Sequence, residues 1–139
     1  MLSNTLNTNE IKNSAGTEVE FSRLSVTDRQ TVFSQIAETP SLPHRLTIAH
    51  QESGVGMTRR RRSVVRVDKT TLSGVDTITP ITTSAYMVLD FPIGASLTAG
   101  EAANVIAELV SFVASLGAST TILYDGTGNG AASLLNGAL

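Results

Sequence analysis

The sequence has no cysteine, which excludes disulfides and thiolate metal sites and leaves the redox compartment unreadable. No basic segment followed by an apolar one opens the chain, so a secretory signal is not expected. The longest apolar segment, residues 102–116, is interrupted by Asn104 and Glu108 and falls short of the roughly 20 residues that a membrane span needs. These absences lead us to expect a soluble protein made inside the cell. Chemistry is equally thin. No recognisable motif positions a Ser, His and Asp set, and the glycine run at 126–130 lacks the Gly-Lys-Ser/Thr that would make it a phosphate loop. His44 and His50 have no acidic or cysteine partner at ligand spacing. We therefore expect no enzyme activity, no cofactor and no metal, and there is no internal repeat.

What is present is an uneven distribution of charge. Residues 59–69, RRRRSVVRVDK, hold six of the ten Lys and Arg residues against one Asp, a local charge of +5. The remainder carries four basic and eleven acidic residues, or −7, in a chain whose net charge is −2. Like charges this dense repel unless a polyanion neutralises them, so phosphate contact outweighs the alternative of a solvated turn. The segment alternates: Arg62, Val64, Arg66 and Asp68 fall on one face of a strand, and Ser63, Val65 and Val67 on the other.

A length of 139 residues with 41% hydrophobic and 16% charged fits one globular domain spanning the chain, with a sheet over about 5–92 and a helical part over about 98–139. Residues 11–12, the turn composition Asn13-Ser14-Ala15-Gly16 and the alternating 18–22 predict an N-terminal hairpin. Residues 31–37 are a weaker third strand, because Val32, Phe33 and Ile36 fit neither period cleanly. Alternation returns at 45–51, with Arg45, Thr47, Ala49 and Gln51 opposite Leu46, Ile48 and His50. Gly54 and Gly56 supply a turn into the basic strand, which should pair antiparallel with 45–51. A Thr, Ser and Gly-rich loop at 70–80 precedes a further strand at 82–91, with Tyr86, Val88 and Asp90 on one face.

The period then changes. Thr98-Ala99-Gly100-Glu101 matches a capping box, and Ala102, Val105, Ile106, Leu109, Val113 and Leu116 mark the apolar stripe of a helix over 98–116. Residues 131–135 suit a short terminal helix. The expected class is therefore α+β: an antiparallel sheet built from a hairpin and long meander strands, with C-terminal helices covering its apolar face. The opposite face stays open and carries Arg62, Arg66, Arg45, Thr47 and Tyr86, a set suited to phosphates and to an unpaired base. Unprotected edges and helix margins call for a second copy of the chain, so we expect an intertwined homodimer.

The ordered set comprises the hairpin, Pro40-Ser41-Leu42-Pro43-His44-Arg45-Leu46-Thr47-Ile48, the basic strand, the Thr-rich loop, Ser84-Ala85-Tyr86-Met87-Val88-Leu89-Asp90-Phe91-Pro92-Ile93 and the capped helix. It resembles the coat protein of single-stranded RNA bacteriophages of the levivirus type over nearly the whole chain. The resemblance implies a dimer with a continuous sheet across both chains and helices that clasp the partner. It also implies a quasi-icosahedral shell around genomic single-stranded RNA, hence location in the virion after synthesis in a bacterial cytoplasm. Binding of an RNA stem-loop as a translational repressor is implied as well.

Matched strand by strand, the implied RNA contacts are Arg45, Thr47, Ala49, Arg62, Val64, Arg66, Asp68, Tyr86, Val88 and Asp90, with Tyr86 in the place of a base-stacking tyrosine. Arg59, Arg60 and Arg61 join them as an electrostatic fringe. Val105, Ile106, Leu109, Phe112, Val113 and Leu116 are the candidate dimer interface. The loop at 70–80 corresponds to the one around the shell's symmetry axes, which this chain cannot link by disulfides. A non-viral dimeric RNA-binding module is the alternative, and a structural assembly protein with an acidic partner is a third reading.

Overall fold

The computed structural model describes residues 2–95, 100–118 and 121–137. The chain divides into two compact units, one of Met1–Thr8 and Glu20–Leu97 and the other of Asn9–Val19 and Thr98–Leu139. The first is a six-stranded antiparallel sheet in sequence order. Its strands are β1 (Thr5–Leu6), β2 (Phe21–Val26), β3 (Gln30–Gln35), β4 (His44–Ser53), β5 (Arg60–Leu72) and β6 (Pro80–Pro92). The second contains the hairpin around residues 12–18 and two helices, α1 (Gly100–Ala114) and α2 (Asn129–Asn136).

Alternation in β4, β5 and β6 survives intact because the register is continuous. Leu46 pairs with Val67 and Ile48 with Val65, while Val65 in turn opposes Met87. Directly opposed residues share a face, so the apolar residues form one surface and the polar set forms the other. On the apolar surface Phe33 pairs with Leu46 and Leu6 with Phe21. All four are buried, Phe21 and Phe33 almost completely. Burial of each phenyl ring contributes about 1.5–3 kcal/mol. Ile36, which blurred the period of the third strand, lies just past the end of β3 and is exposed.

The turn between β4 and β5 is a tight 3-10 turn at Gly56–Thr58. The Thr58 hydroxyl donates to the Val55 carbonyl at 2.8 Å, and the Ile93 and Gly94 amides both donate to the Arg59 carbonyl at 2.9 and 3.0 Å. Gly54 enters the turn at φ +78°, and a Cβ there would stand 2.6 Å from the Thr58 carbonyl oxygen. Strain at such a position costs on the order of 1–3 kcal/mol. Gly54→Ala should therefore lower the urea midpoint by that equivalent, and an unchanged midpoint would refute the strained reading of this turn.

In the second unit the predicted hairpin forms at the expected turn. Asn13 donates its amide to Thr17, Gly16 donates to Asn13, and Lys12 bridges Glu18. It groups with the helices rather than with the sheet, which the linear pattern does not reveal. The Lys12 ammonium lies 5.3 Å from the centroid of the Tyr124 ring. Helix α1 ends at Ala114, two residues before the Leu116 expected from its apolar stripe. The expected capping box begins at Thr98 and Ala99, which lie outside the described residues. Helix α2 starts two residues earlier than expected and stops at Gly137, whose φ of +63° is left-handed.

Candidate nucleic-acid interface

Register assembles the polar face into four rows across three strands. Arg45 lies beside Asp68 and Ser84, and Thr47 beside Arg66 and Tyr86. Ala49 lies beside Val64 and Val88, and Gln51 beside Arg62 and Asp90. Rows repeat about every 6.8 Å along the strands, with neighbours about 4.8 Å apart across them. The expected RNA contacts of β4, β5 and β6 thus share one surface. Gln51 and Ser84 complete it. Both follow from the same alternation, as the residues two places from Ala49 and Tyr86, yet neither was among the candidates.

The cations on this face are not equivalent. Arg45 forms a two-point pair with Glu38, Nε to Oε2 at 2.9 Å and Nη2 to Oε1 at 2.7 Å. Arg60 donates to Asp90 at 2.9 Å, and Arg66 donates to Asp68 at 2.8 Å. Asp68 also accepts from the Ser84 hydroxyl. That bond first, and Arg66 after it, hold the Asp68 carboxyl below the usual carboxylate range against the opposing effect of burial. Arg62 is exposed and makes no ion pair among the described residues. Tyr86, directly opposite Arg66, is 70% exposed. A ring this open, beside a guanidinium, can stack on an unpaired base.

Arg59 and Arg61 stand elsewhere. Arg61 pairs in register with Glu52 and Phe91, which puts it on the face opposite Arg62. It gives Glu52 two hydrogen bonds, at 3.0 and 2.8 Å, while Arg59 donates to the other carboxylate oxygen. The fringe expected from the arginine run is therefore split by strand alternation, with Arg60 on the polar face and Arg61 behind it.

Bonds from Arg59 and then Arg61 hold the Glu52 carboxyl at about 2, below its ordinary 4.5. Folding therefore gains stability from Glu52 that is fully present above pH 4.5 and is lost as pH falls toward 2. The urea midpoint of the wild type should fall across that window by more than that of Glu52→Gln. Equal falls would show that the clamp contributes nothing.

The histidines are accounted for locally. His50 Nδ1 lies 2.8 Å from the Ser63 hydroxyl, its register partner. His44 stands edge-on to Phe21 at 5.1 Å, and burial, then Lys69, lowers its pKa.

The helix residues expected at a dimer interface divide in two. Val105, Leu109, Phe112 and Leu116 are exposed, whereas Ile106 and Val113 are half-buried. At 100° per residue Val105, Leu109 and Phe112 lie within about 60° of one another on α1, and Leu116 lies past the helix end.

No family model matches the sequence, and no curated protein matches it. Solved structures do. The coat protein of bacteriophage EMS014 superposes with a TM-score of 0.65 at 12% identity, covering 87% of each chain. The capsid protein of bacteriophage GA gives 0.53 at 16% identity, over 87% of this chain and 85% of that one. The virus-like particle of Beihai levi-like virus 32 gives 0.55 at 21% identity, over 68% and 75%. The chain has the levivirus coat-protein fold: an antiparallel sheet followed by two C-terminal helices.

Proposed function

We propose that this chain is a viral coat protein that assembles as dimers into a closed shell around single-stranded RNA. The observation that carries the proposal is the polar face of β4, β5 and β6, on a fold shared with phage coat proteins. Among the described residues Arg62 has no ion pair to break in meeting a phosphate, and the Tyr86 ring beside Arg66 offers a base a platform. Binding is electrostatic and geometric, since arginines displace counterions from the RNA while the sheet spaces them.

Two features support assembly. Strand β6 spans Pro80–Pro92 and, among the described residues, pairs with β5 alone, so a long edge stands ready to continue a sheet in a second copy. Helix α1 exposes an apolar stripe of a kind that soluble chains bury against a partner. Repression of translation belongs to the same reading, as binding of an RNA stem-loop by this face.

Electron microscopy of the expressed protein, with the 260/280 nm absorbance ratio of purified particles, tests the proposal. Uniform shells containing nucleic acid are expected. A soluble dimer that binds RNA without forming shells would instead establish the non-viral module.

A further inference from the structure

Two carboxylates lie on the polar face, and they differ in what they have left to offer. Asp68 is spent: its Oδ1 accepts from both Arg66 and the Ser84 hydroxyl, and its side chain is 25% exposed. Asp90 is open. Its side chain is 50% exposed, and among the described residues its one side-chain bond joins Oδ1 to Arg60 Nε at 2.9 Å. A carboxylate has about four lone-pair sites, so most of the accepting capacity of Asp90 is unused. Arg60 also donates to the Asp90 carbonyl at 3.3 Å, which holds the two residues together.

An open carboxylate repels phosphate, so it is out of place on a face that meets nothing but an RNA backbone. It is suited to a base. Guanine alone among the four bases of RNA has two adjacent N–H donors, at N1 and N2, on its Watson–Crick edge, and the acceptor O6 stands beside them. The row that holds Asp90 supplies the matching set. Arg62 is the register partner of Asp90 on β5, about 4.8 Å away across the strands. It is exposed and has no ion pair among the described residues. An acceptor and a donor thus stand side by side, as the guanine edge requires.

The neighbouring row is apolar. Ala49, Val64 and Val88 lie about 6.8 Å away along the strands and are half-buried, so a base held by its edge at Asp90 and Arg62 can rest against Val64 and Val88. Tyr86 is four residues from Asp90, about 13.6 Å along β6. A base stacked on Tyr86 is therefore a different nucleotide.

We infer that Asp90 and Arg62 read an unpaired guanine in the bound RNA. The inference rests on the RNA-binding reading of this face and names the base that the face selects. Asp90 accepts from the N1 and N2 donors, and Arg62 donates to O6 with donors to spare for a neighbouring phosphate. Adenine presents a lone pair at N1, cytosine a lone pair at N3, and uracil a single N–H between two carbonyls. Each of these leaves Asp90 facing an acceptor, which is how a polar site rejects an analogue. Arg60 positions the carboxylate and offsets its repulsion of the backbone.

Titration of the full-length chain, freed of nucleic acid, with fluorescent uridine oligonucleotides carrying one central guanosine, inosine or adenosine tests the inference by anisotropy. The wild type should bind the guanosine probe about tenfold more tightly than the adenosine probe. Inosine, which keeps N1–H and O6 but lacks the N2 amino group, should fall between them. Asp90→Asn should bind all three alike, and the adenosine probe more tightly than the wild type does, because a negative charge has left the face. A carboxylate that acted through charge alone would instead shift all three probes equally and leave their ratios unchanged. Equal binding of guanosine and adenosine by the wild type, or a guanosine preference that survives in Asp90→Asn, would overturn the inference and leave the RNA-binding reading standing. A wild-type chain that binds none of the probes would overturn both.

Discussion

Particles of the Arg62→Ala/Arg66→Ala variant should assemble in normal yield and carry several-fold less RNA than the wild type, read from the 260/280 nm absorbance ratio. Neither side chain is buried, so their removal should leave the sheet intact. Each contact with single-stranded RNA contributes about 0.7 to the slope of log affinity against log salt, so losing two should flatten it by about 1.4. The single variants should differ. Asp90, the register neighbour of Arg62, is engaged by Arg60, and among the described residues Arg62 has no carboxylate of its own. Arg66 must instead release Asp68, whose charge also faces the polyanion. Arg62→Ala should therefore cost more RNA than Arg66→Ala. Unchanged RNA content and salt dependence in the double variant would remove both arginines from the role proposed for them.

This ranking was not legible in the sequence, although the face itself was. Alternation alone placed Arg62, Val64, Arg66 and Asp68 together, because a strand with one buried face has a side-chain period of two that no other register satisfies. The same rule gave Tyr86, Val88 and Asp90, and it reached as far as Gln51. What alternation does not encode is the partner of each cation. Glu38, which captures Arg45, comes from the turn after β3, and Asp90, which captures Arg60, lies thirty residues away. Such pairs depend on tertiary neighbours. The arginine run misled for a related reason. Four like residues look like one patch until strand geometry sends Arg60 and Arg62 to one face and Arg61 to the other. The grouping of the hairpin at 12–18 with the helices was hidden too, since short local pairing says nothing about which surface the hairpin joins.

Helix α1 is where the sequence pattern and the exposed surface diverge most, and the largest effect on assembly is expected there. A single broad stripe from Ala102 to Leu116 reads as one buried face, but the helix divides it. Ala102, Ile106 and Val113 turn toward its better-covered side, as does buried Ala114, while Val105, Leu109 and Phe112 stay open, with Val105 56% and Phe112 61% exposed. An apolar side left open on a folded chain marks a surface suited to a partner, and that is the role proposed for this stripe.

Val105→Asp/Leu109→Asp should therefore leave the isolated chain folded, since both sites are exposed, while placing two carboxylates in the contact proposed between copies. Burying an unpaired ion costs on the order of several kcal/mol, so assembled particles should fall by at least about a hundredfold. The protein should then sediment as a small folded species with an unchanged circular dichroism spectrum. Ala107→Asp supplies the contrast, being exposed on α1 away from the stripe, and should assemble as the wild type does. Full assembly of the double variant, or equal loss in Ala107→Asp, would mean that this stripe is not the surface that joins the copies.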